Sequence, residues 1–246
     1  MSLLMRLTRS PYSLFLAGDT KQIVNPSGFR WEELKELFYE RRIPVLKIHH
    51  LTLNFRCVGN IALLSNCLLE LKRSILGIYH DEALDEWKML GQPPFIIFGL
   101  DERAMLKHLS KQAANQIMLT RSEQECTMLK ELLGTELIFA IRKAKGLEFK
   151  SVLLWKFFST PGEWKIWRKI LEMESAELHD ALVRHGINLL YVGVTRAQQN
   201  LLIYDGINYA PIWDADLFKE YVVKTADIEL FQRTWFNVVS LAEWKE

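Results

Sequence analysis

Four short stretches of the chain carry polar side chains of the kinds that bind phosphate and position water. Their sequences are "GDTKQ" (18–22), "LNFR" (53–56), "KAKGLE" (143–148) and "VTRA" (194–197). Each stretch stands at a predicted strand end or helix start. Because ligands of parallel α/β sheets bind beyond the carboxyl ends of the strands, we expect these stretches to lie at that edge.

The first stretch places an acid and an amide just after a short apolar run. Gln22 offers both a donor and an acceptor, so one side chain can hold an attacking water and a phosphate oxygen together. The alternative is a polar turn in which Asp19 caps a helix. Two aromatic residues, Phe29 and Trp31, follow a few positions later.

Two arginines are candidates for contacting phosphate, because the guanidinium is planar, always charged and able to donate two parallel hydrogen bonds. Arg56 precedes a predicted helix, and Arg196 stands between an apolar run and a predicted strand. The position of Arg196 suits a contact with a γ-phosphate. The alternatives are a surface arginine at the start of a helix for Arg56 and one at the end of a buried helix for Arg196.

The block from Ile141 to Trp155 combines basic residues, a glycine and an acid ahead of an apolar strand. Gly146 allows a ligand to approach the backbone closely, and Glu148 can accept hydrogen bonds from a ribose diol. Arg142 and Lys145 can contact the phosphates of a nucleic acid. The alternative is a basic surface loop with Glu148 as an exposed charge.

The composition narrows the class of protein. The chain has 246 residues, is 49% hydrophobic and carries a net charge of +1, so any nucleic-acid contact must come from a local groove. Its three cysteines have no metal-ligand spacing, and we predict no metal site and a reducing, intracellular compartment, either cytoplasmic or nuclear. No apolar run is long enough to span a bilayer, so we expect no membrane association.

Short apolar runs alternate with amphipathic segments along the chain. The alternation predicts an α/β domain with a largely parallel sheet flanked by helices. Strands are expected over 13–17, 43–48, 95–98, 117–119, 137–141, 151–155 and 201–204, and helices over 31–41, 61–71 and 122–133. We predict one domain, 1–246, with a short helical insertion over 159–187 that ends where a further helix begins near Asn188. The acidic "HDEALDEW" (80–87) is expected in a helical surface stretch.

Taken in order, these blocks resemble the UvrD/Rep/PcrA-type superfamily I helicases. "LAGDTKQI…GFRW" is similar to motif III of that family, "LTLNFR" to motif IV, "KAKGLEFKSVLL" to motif V and "LLYVGVTRA" to motif VI. The resemblance covers about residues 13–204. The forms "GDT…GFRWEELKELF" and "FFSTPGEW" look most like large eukaryotic helicase-like proteins with ankyrin or TPR repeats.

The resemblance implies a RecA-like fold of the P-loop NTPase type and a role for each candidate residue. Gln22 would sense the γ-phosphate of ATP, and Arg56 and Arg196 would act as arginine fingers. Gly146 and Glu148 would contact the nucleotide, with Glu148 on the ribose. Phe29 or Trp31 would stack on a base of single-stranded nucleic acid, with DNA favoured over RNA, and Arg142 and Lys145 would lie on the same side.

The chain departs from the family at two points. Motif V of the family begins Thr-x-His, where this chain has Ala140 and Arg142, so a phosphate contact would replace a polar one. The chain also contains no Gly-Lys-Ser/Thr phosphate loop, and only 17 residues precede Gly18. We therefore expect ATP and Mg²⁺ to be held mainly by an N-terminal helicase half that is absent here, and the chain alone to lack ATPase activity.

Two other functions stay open at this point. The motor fold can serve as a non-catalytic platform that binds nucleic acid or protein. An α/β protein with an unrelated function would require four motif matches in sequence order to be accidental.

Overall fold

The structure is a computed structural model, and it describes residues 17–22, 36, 38–40, 49–76, 84–109, 116–159, 167–168, 180–227, 229–231 and 233. The strands are β1 (Leu53–Asn54), β2 (Glu86–Trp87), β3 (Phe95–Ile97), β4 (Gln116–Thr120), β5 (Ile138–Ala140), β6 (Phe149–Trp155), β7 (Ala197–Tyr204) and β8 (Val223–Thr225). The longer helices are α1 (Gly59–Leu76), α2 (Glu102–Leu109), α3 (Glu123–Leu133) and α4 (Asp180–Val194), and 3₁₀ turns occupy Thr20–Gln22 and Pro211–Asp214.

The central sheet has six strands in the order β5-β4-β6-β7-β3-β8, and every neighbouring pair is parallel. The longest strands, β6 and β7, lie side by side, with Phe149 opposite Ala197 at one end and Trp155 opposite Tyr204 at the other. β1 and β2 form a separate parallel pair. The predicted α/β class, with a parallel sheet flanked by helices, is confirmed.

Alternate residues of each central strand enter different cores. In β6, Val152 and Leu154 join the core that contains residues of α1 and α4, whereas Leu153 and Trp155 join the core that contains residues of α2 and α3. Because successive side chains of a strand point to opposite faces, the sheet is covered by helices on both sides. Its central strands are therefore apolar runs, as the sequence predicted.

The predicted strands after residue 90 agree with the structure, whereas Ala17, the described end of the first predicted strand, lies in no strand. β3, β4, β5, β6 and β7 correspond to the five apolar runs after residue 90. The runs over 13–17 and 43–48 lie outside the described residues, apart from Ala17. β1, β2 and β8 were not predicted, because each has only two or three residues and lacks a distinct apolar run.

The helices follow the sequence with some differences in their bounds. In α3, Ser122 is the N-cap and its hydroxyl accepts a hydrogen bond from the Glu125 backbone N–H at 3.2 Å, as the Ser-x-x-Glu pattern predicts. α1 contains the predicted helix 61–71 and extends it at both ends. In the predicted helix 31–41, the described residues 36 and 38–40 are helical and Phe38 is buried. α2 was not predicted.

Two expectations about segments need correction. The helix that was expected to begin near Asn188 already includes Asp180, so residues 180–187 of the predicted insertion belong to α4. The described part of the acidic stretch 80–87 is not helical, because Glu86 and Trp87 form β2 and pair with Leu53 and Asn54.

Among the residues that the structure describes, no helix is long and apolar enough to cross a membrane.

Candidate functional site

Glu148 and Arg196 lie together at the amino edge of the sheet. Glu148 immediately precedes β6 and Arg196 immediately precedes β7, and the Phe149 backbone N–H donates to the Arg196 carbonyl at 3.0 Å. The expectation that all the candidate stretches lie at the carboxyl ends of the strands is therefore wrong for this pair. The physical reason is that each residue immediately precedes its strand, whereas a residue at the carboxyl edge follows one.

Arg196 is fully buried, and backbone groups hold its guanidinium. Nε donates to the Val192 carbonyl at 3.1 Å, Nη1 to the Leu147 carbonyl at 3.0 Å, and Nη2 to the Thr195 hydroxyl at 3.3 Å. These bonds use three of the five N–H groups of the side chain. Within the described part of the chain, no carboxylate lies at ion-pair distance from Arg196, so its charge is buried without a direct counterion.

Arg56 lies near Arg196 and is half-exposed. Its Nε donates to Glu148 Oε1, and the other oxygen of that carboxylate accepts from Gln198 Nε2 at 3.2 Å. The Val58 backbone N–H donates to the Gln198 carbonyl at 2.9 Å, which joins the segment after Arg56 to β7. Arg56 and Glu148, 92 positions apart in the sequence, therefore meet at the amino edge of the sheet.

The positive charges of buried Arg196 and partly exposed Arg56 repel one another. Burial lowers the pKa of Arg196, and the charge of Arg56 lowers it further. Of the described carboxylates, Glu148 pairs with Arg56 and offsets one of these two positive charges, whereas Asp85 is itself paired with Lys21. The remaining positive charge favours an added anion. Burial raises the pKa of the nearby Cys57 thiol to about 11, which keeps it protonated at neutral pH and excludes it as a nucleophile.

The 3₁₀ turn Thr20–Gln22 packs against α4. One carboxylate closes the turn: Asp19 Oδ1 accepts from the Lys21 backbone N–H at 2.9 Å, and Oδ2 accepts from Gln22 Nε2 at 2.8 Å. The Lys21 ammonium lies 5.9 Å from the centre of the Tyr191 ring. Both interpretations of this stretch, the polar turn and the phosphate-facing amide, are compatible with this geometry.

Sequence reasoning missed a polar network that connects this turn to Arg56. Asp85 accepts hydrogen bonds from Lys21 Nζ at 2.7 Å and from Asn54 Nδ2 at 2.9 Å. Asn54 Oδ1 in turn accepts from the backbone N–H groups of Arg56 at 2.8 Å and Cys57 at 3.0 Å. The sequence signal for Asn54 was its place in "LNFR", two positions before the candidate arginine.

Gly146 and Lys145 are exposed in the turn that precedes Glu148. Gly146 has a φ of +88°, and a side chain at this position would meet no other atom within 4 Å. A positive φ is the conformation that glycine adopts most readily, so the backbone of this turn explains the residue. The turn is also open enough for a ligand to approach it closely.

Arg142 lies on another side of the sheet, two residues beyond the carboxyl end of β5. Its Nη2 is 3.0 Å from Nε2 of His185 on α4. Because a guanidinium only donates, the imidazole nitrogen accepts, which requires neutral His185. Burial and the neighbouring charge of Arg142 lower the pKa of His185, in agreement with that state.

The structure thus separates the predicted residues into two groups. Arg56, Glu148 and Arg196 meet at the amino edge, with the Gln22 turn joined to them through Asp85. Arg142 lies beyond the opposite edge. Phe29 and Trp31 lie outside the described residues. Arg56, with its partly exposed fork, fits a phosphate group as the site stands, whereas Arg196 has only its two remaining N–H groups to offer.

Over the described ranges of the chain, no group of three or more His, Cys, Asp or Glu side chains is arranged to hold a metal ion.

The chain is similar to curated sequences and to domains of known structure, and an example of each follows. The chain is 28% identical over 304 residues to the human TPR and ankyrin repeat-containing protein 1; that alignment covers 99% of the chain and 10% of the human protein. The chain therefore spans about a tenth of the length of this relative. No protein-family model matches the chain.

One similar solved structure is the C-terminal domain of a possible DNA helicase from Lactobacillus plantarum WCFS1. It is 14% identical, covers 71% of this chain and 99% of its own, and superposes with a TM-score of 0.45. A likeness of this degree defines neither the fold family nor the function of the chain.

Proposed function

We propose that this chain is the second, C-terminal half of the motor of an ATP-dependent superfamily I helicase or translocase, with a RecA-like fold. In this role it presents Arg56, Arg196 and Gln22 to an ATP molecule that a separate N-terminal half holds by its phosphate loop. The ordered series of four motif-like stretches in the sequence supports this proposal. So does the similarity to a protein with TPR and ankyrin repeats, the repeats that the finer sequence resemblance indicated.

One observation carries the proposal: three motif-like stretches far apart in the sequence meet at the amino edge of the sheet. Arg56 from the second, Glu148 from the third and Arg196 from the fourth lie within one connected group. Two cations facing one carboxylate favour an anion such as a triphosphate. An arginine contributed from outside the phosphate-holding half stabilises the charge that develops during phosphoryl transfer.

Each residue has a distinct part in this proposal. Arg56 contacts the γ-phosphate with its guanidinium, whose Nε now donates to Glu148, and Glu148, once released, accepts from the ribose. Arg196 fixes the turn between α4 and β7 and adds its positive charge to the site. Gln22 positions the attacking water. Bound ATP would supply the phosphoryl group, and the Mg²⁺ bound with it would offset part of the negative charge of the phosphates.

The nucleic-acid surface in this proposal extends from Arg142, beyond the carboxyl end of β5, to Lys145 in the turn before Glu148. Arg142 and Lys145 contact backbone phosphates, and Phe29 or Trp31 stacks on a base. The position of Arg142 beyond the carboxyl end of β5, apart from the arginine pair, is consistent with two separate sites. Single-stranded DNA is the proposed partner, with RNA as the other outcome of the test.

The nucleotide half of the proposal is tested by titrating the chain with inorganic triphosphate and following the Nε–H resonance of Arg56 by NMR. The resonance should shift, because phosphate replaces Glu148 as its acceptor. Arg56→Lys should weaken binding, since a point charge replaces the fork. Arg233→Ala serves as a control, because this exposed arginine pairs with Glu229, four positions earlier in the sequence. An unchanged Arg56 resonance at saturating triphosphate would contradict the proposal.

Two further measurements test the remaining parts. ATP turnover by the chain alone should be absent, and turnover that Arg196→Ala abolishes would contradict the division into two halves. Single-stranded oligonucleotide should bind, and Trp31→Ala should reduce the affinity by about 5-fold to 150-fold, the range expected for one stacked base. If Trp31→Ala and Arg142→Ala each bind the oligonucleotide as tightly as the natural chain, these residues are rejected as the contact surface.

A second function is favoured by one observation, namely that both arginines already have protein partners. Arg56 is paired with Glu148, and Arg196 is held by backbone groups. A non-catalytic platform for nucleic acid or protein would keep these contacts permanently. The triphosphate titration separates the two functions, because a platform leaves the Arg56 resonance unmoved while oligonucleotide binding persists.

A further inference from the structure

We propose that Asp85 is a positioning residue, which holds the Gln22 turn and Arg56 at a fixed distance and orientation. The inference rests on the proposed function, because it concerns two residues that the proposal places on one phosphate group. Asp85 belongs to none of the motif-like stretches. It comes from a third segment, just before β2, that lies between the other two in space.

The Asp85 carboxylate is divided between two partners. Oδ1 accepts from Lys21 Nζ at 2.7 Å, and Oδ2 accepts from Asn54 Nδ2 at 2.9 Å. The side chains of Lys21 and Asp85 are each only 13% exposed, so water screens this pair weakly. Moving either partner away leaves a charge with little hydration, which makes the arrangement costly to distort.

The backbone of Asp85 is fixed as firmly as its side chain. Asn66 on α1 accepts from the Asp85 N–H at 2.9 Å and donates to the Asp85 carbonyl at 2.9 Å. The amide of Asn66 thus satisfies both polar groups of one residue, as a neighbouring strand would. The backbone of Asp85 is therefore fixed to α1, the helix that follows Arg56.

From this fixed point, short paths lead to both proposed functional residues. Towards Arg56, Asn54 Oδ1 accepts from the Arg56 and Cys57 backbone N–H groups. Towards Gln22, the backbone of Lys21 and the amide of Gln22 are joined to the same Asp19 carboxylate. Residues 22 and 56 are thus connected by hydrogen bonds through a residue that itself touches neither.

The consequence is that a phosphate oxygen bound by Arg56 lies at a defined place relative to the Gln22 turn. Phosphoryl transfer depends on such placement, because misplacement by about 1 Å costs on the order of 100-fold in rate. Asp85 contacts no reacting atom in this arrangement. Its contribution is to make the effects of Gln22 and Arg56 depend on each other.

The test is a double-mutant cycle on the affinity for inorganic triphosphate. Gln22→Ala, Arg56→Lys and their combination are measured in the natural chain and again in chains that carry Asp85→Asn. In the natural chain the two effects should be non-additive by at least about 3-fold. With Asp85→Asn the two effects should become additive. The amide has a single oxygen, so it can accept from Lys21 or from Asn54 but not from both.

An exchange of the two side chains supplies the matched control. Asn54→Asp alone keeps the acceptor for the Arg56 N–H but places two carboxylates in contact. Combined with Asp85→Asn, the new carboxylate at position 54 accepts from the new amide at position 85, whose oxygen accepts from Lys21. The combination restores every hydrogen bond at the same net charge, so it should restore the non-additivity. If Asp85→Asn alone does not fold, the cycle is run with Lys21→Met and Asp85→Asn together, which removes both buried charges.

The outcomes separate the two proposals. If triphosphate does not shift the Arg56 resonance in the natural chain, the proposed function fails. If triphosphate binds through Arg56 but the effects are additive in the natural chain, or remain non-additive with Asp85→Asn, the positioning role is overturned while the proposed function stands. Urea unfolding of each variant excludes loss of fold as the cause, because a purely structural role would change stability and leave the non-additivity intact.

Discussion

Replacing Arg196 should destabilise the fold far more than replacing Arg56, although both arginines carry the same predicted role. Arg196 is fully buried and its guanidinium donates to two backbone carbonyls and one hydroxyl. Arg56 is about one-third exposed and its ion pair with Glu148 is partly screened by water. Alanine at each position therefore tests how much of the site is structural.

The magnitude follows from the bonds that each substitution removes. A hydrogen bond to a charged group contributes about 1.5–3 kcal/mol, and Arg196→Ala removes two such bonds to backbone carbonyls. The loss is offset in part because a buried charge disappears, so we expect a net cost of about 3 kcal/mol. Exposed ion pairs contribute about 0–1 kcal/mol, which sets the expectation for Arg56→Ala.

Urea unfolding of both variants measures the difference directly. A cost of about 3 kcal/mol corresponds to a fall in Tm of about 6–12 °C for a domain of this size. Arg196→Lys should recover only part of the loss, because an ammonium cannot reproduce the planar fork. A free energy of unfolding for Arg196→Ala within about 0.5 kcal/mol of that for Arg56→Ala would refute the assignment of Arg196 as a buried anchor.

Two further predictions concern a buried acid and two glycines. Burial raises the pKa of Asp205 to about 6, above its ordinary value of 3.8, so protonation of Asp205 stabilises the folded chain, and this contribution is lost as the pH rises through about 6. The free energy of unfolding of Asp205→Asn, measured from pH 4 to 7.5, should lack this pH-dependent part. A pH profile identical to that of the natural chain would disprove the prediction. Gly146→Ala should lower the free energy of unfolding by about 1 kcal/mol through backbone strain alone. Gly91→Ala should lower it by at least twice as much, because Gly91 has a φ of +70° and the added methyl group would also overlap Val58. Urea unfolding measures both values, and equal costs would count against the packing argument.

The central sheet could be predicted from the sequence because its strands are buried on both faces. Runs such as "FIIF" and "SVLLW" are typical of strands that are buried on both faces, so β3 and β6 stand out from their polar flanks. β2 could not be found in this way. Its two residues, Glu86 and Trp87, are held by backbone pairing with β1, and nothing in their side chains indicates that partner.

The sequence indicated which residues are candidates for the site, but it did not indicate their burial or their hydrogen-bond partners. The position of Arg196 just before β7 is visible in the sequence, and a closer use of strand direction would have placed it at the amino edge. Its burial was not visible, because the acceptors are backbone carbonyls that any residue supplies. Asp85 was hidden for a different reason: it lies in an acidic stretch whose composition is typical of an exposed surface.

Helix α4 connects the two groups of residues as one uninterrupted rod. His185, near its beginning, faces Arg142, while Tyr191 and the turn at Arg196 lie near its end. Its 15 residues span about 22 Å, a length that intact helical hydrogen bonds keep constant. The arginine turn and the histidine are therefore carried by one element of constant length, and neither end of α4 shifts along the axis without the other.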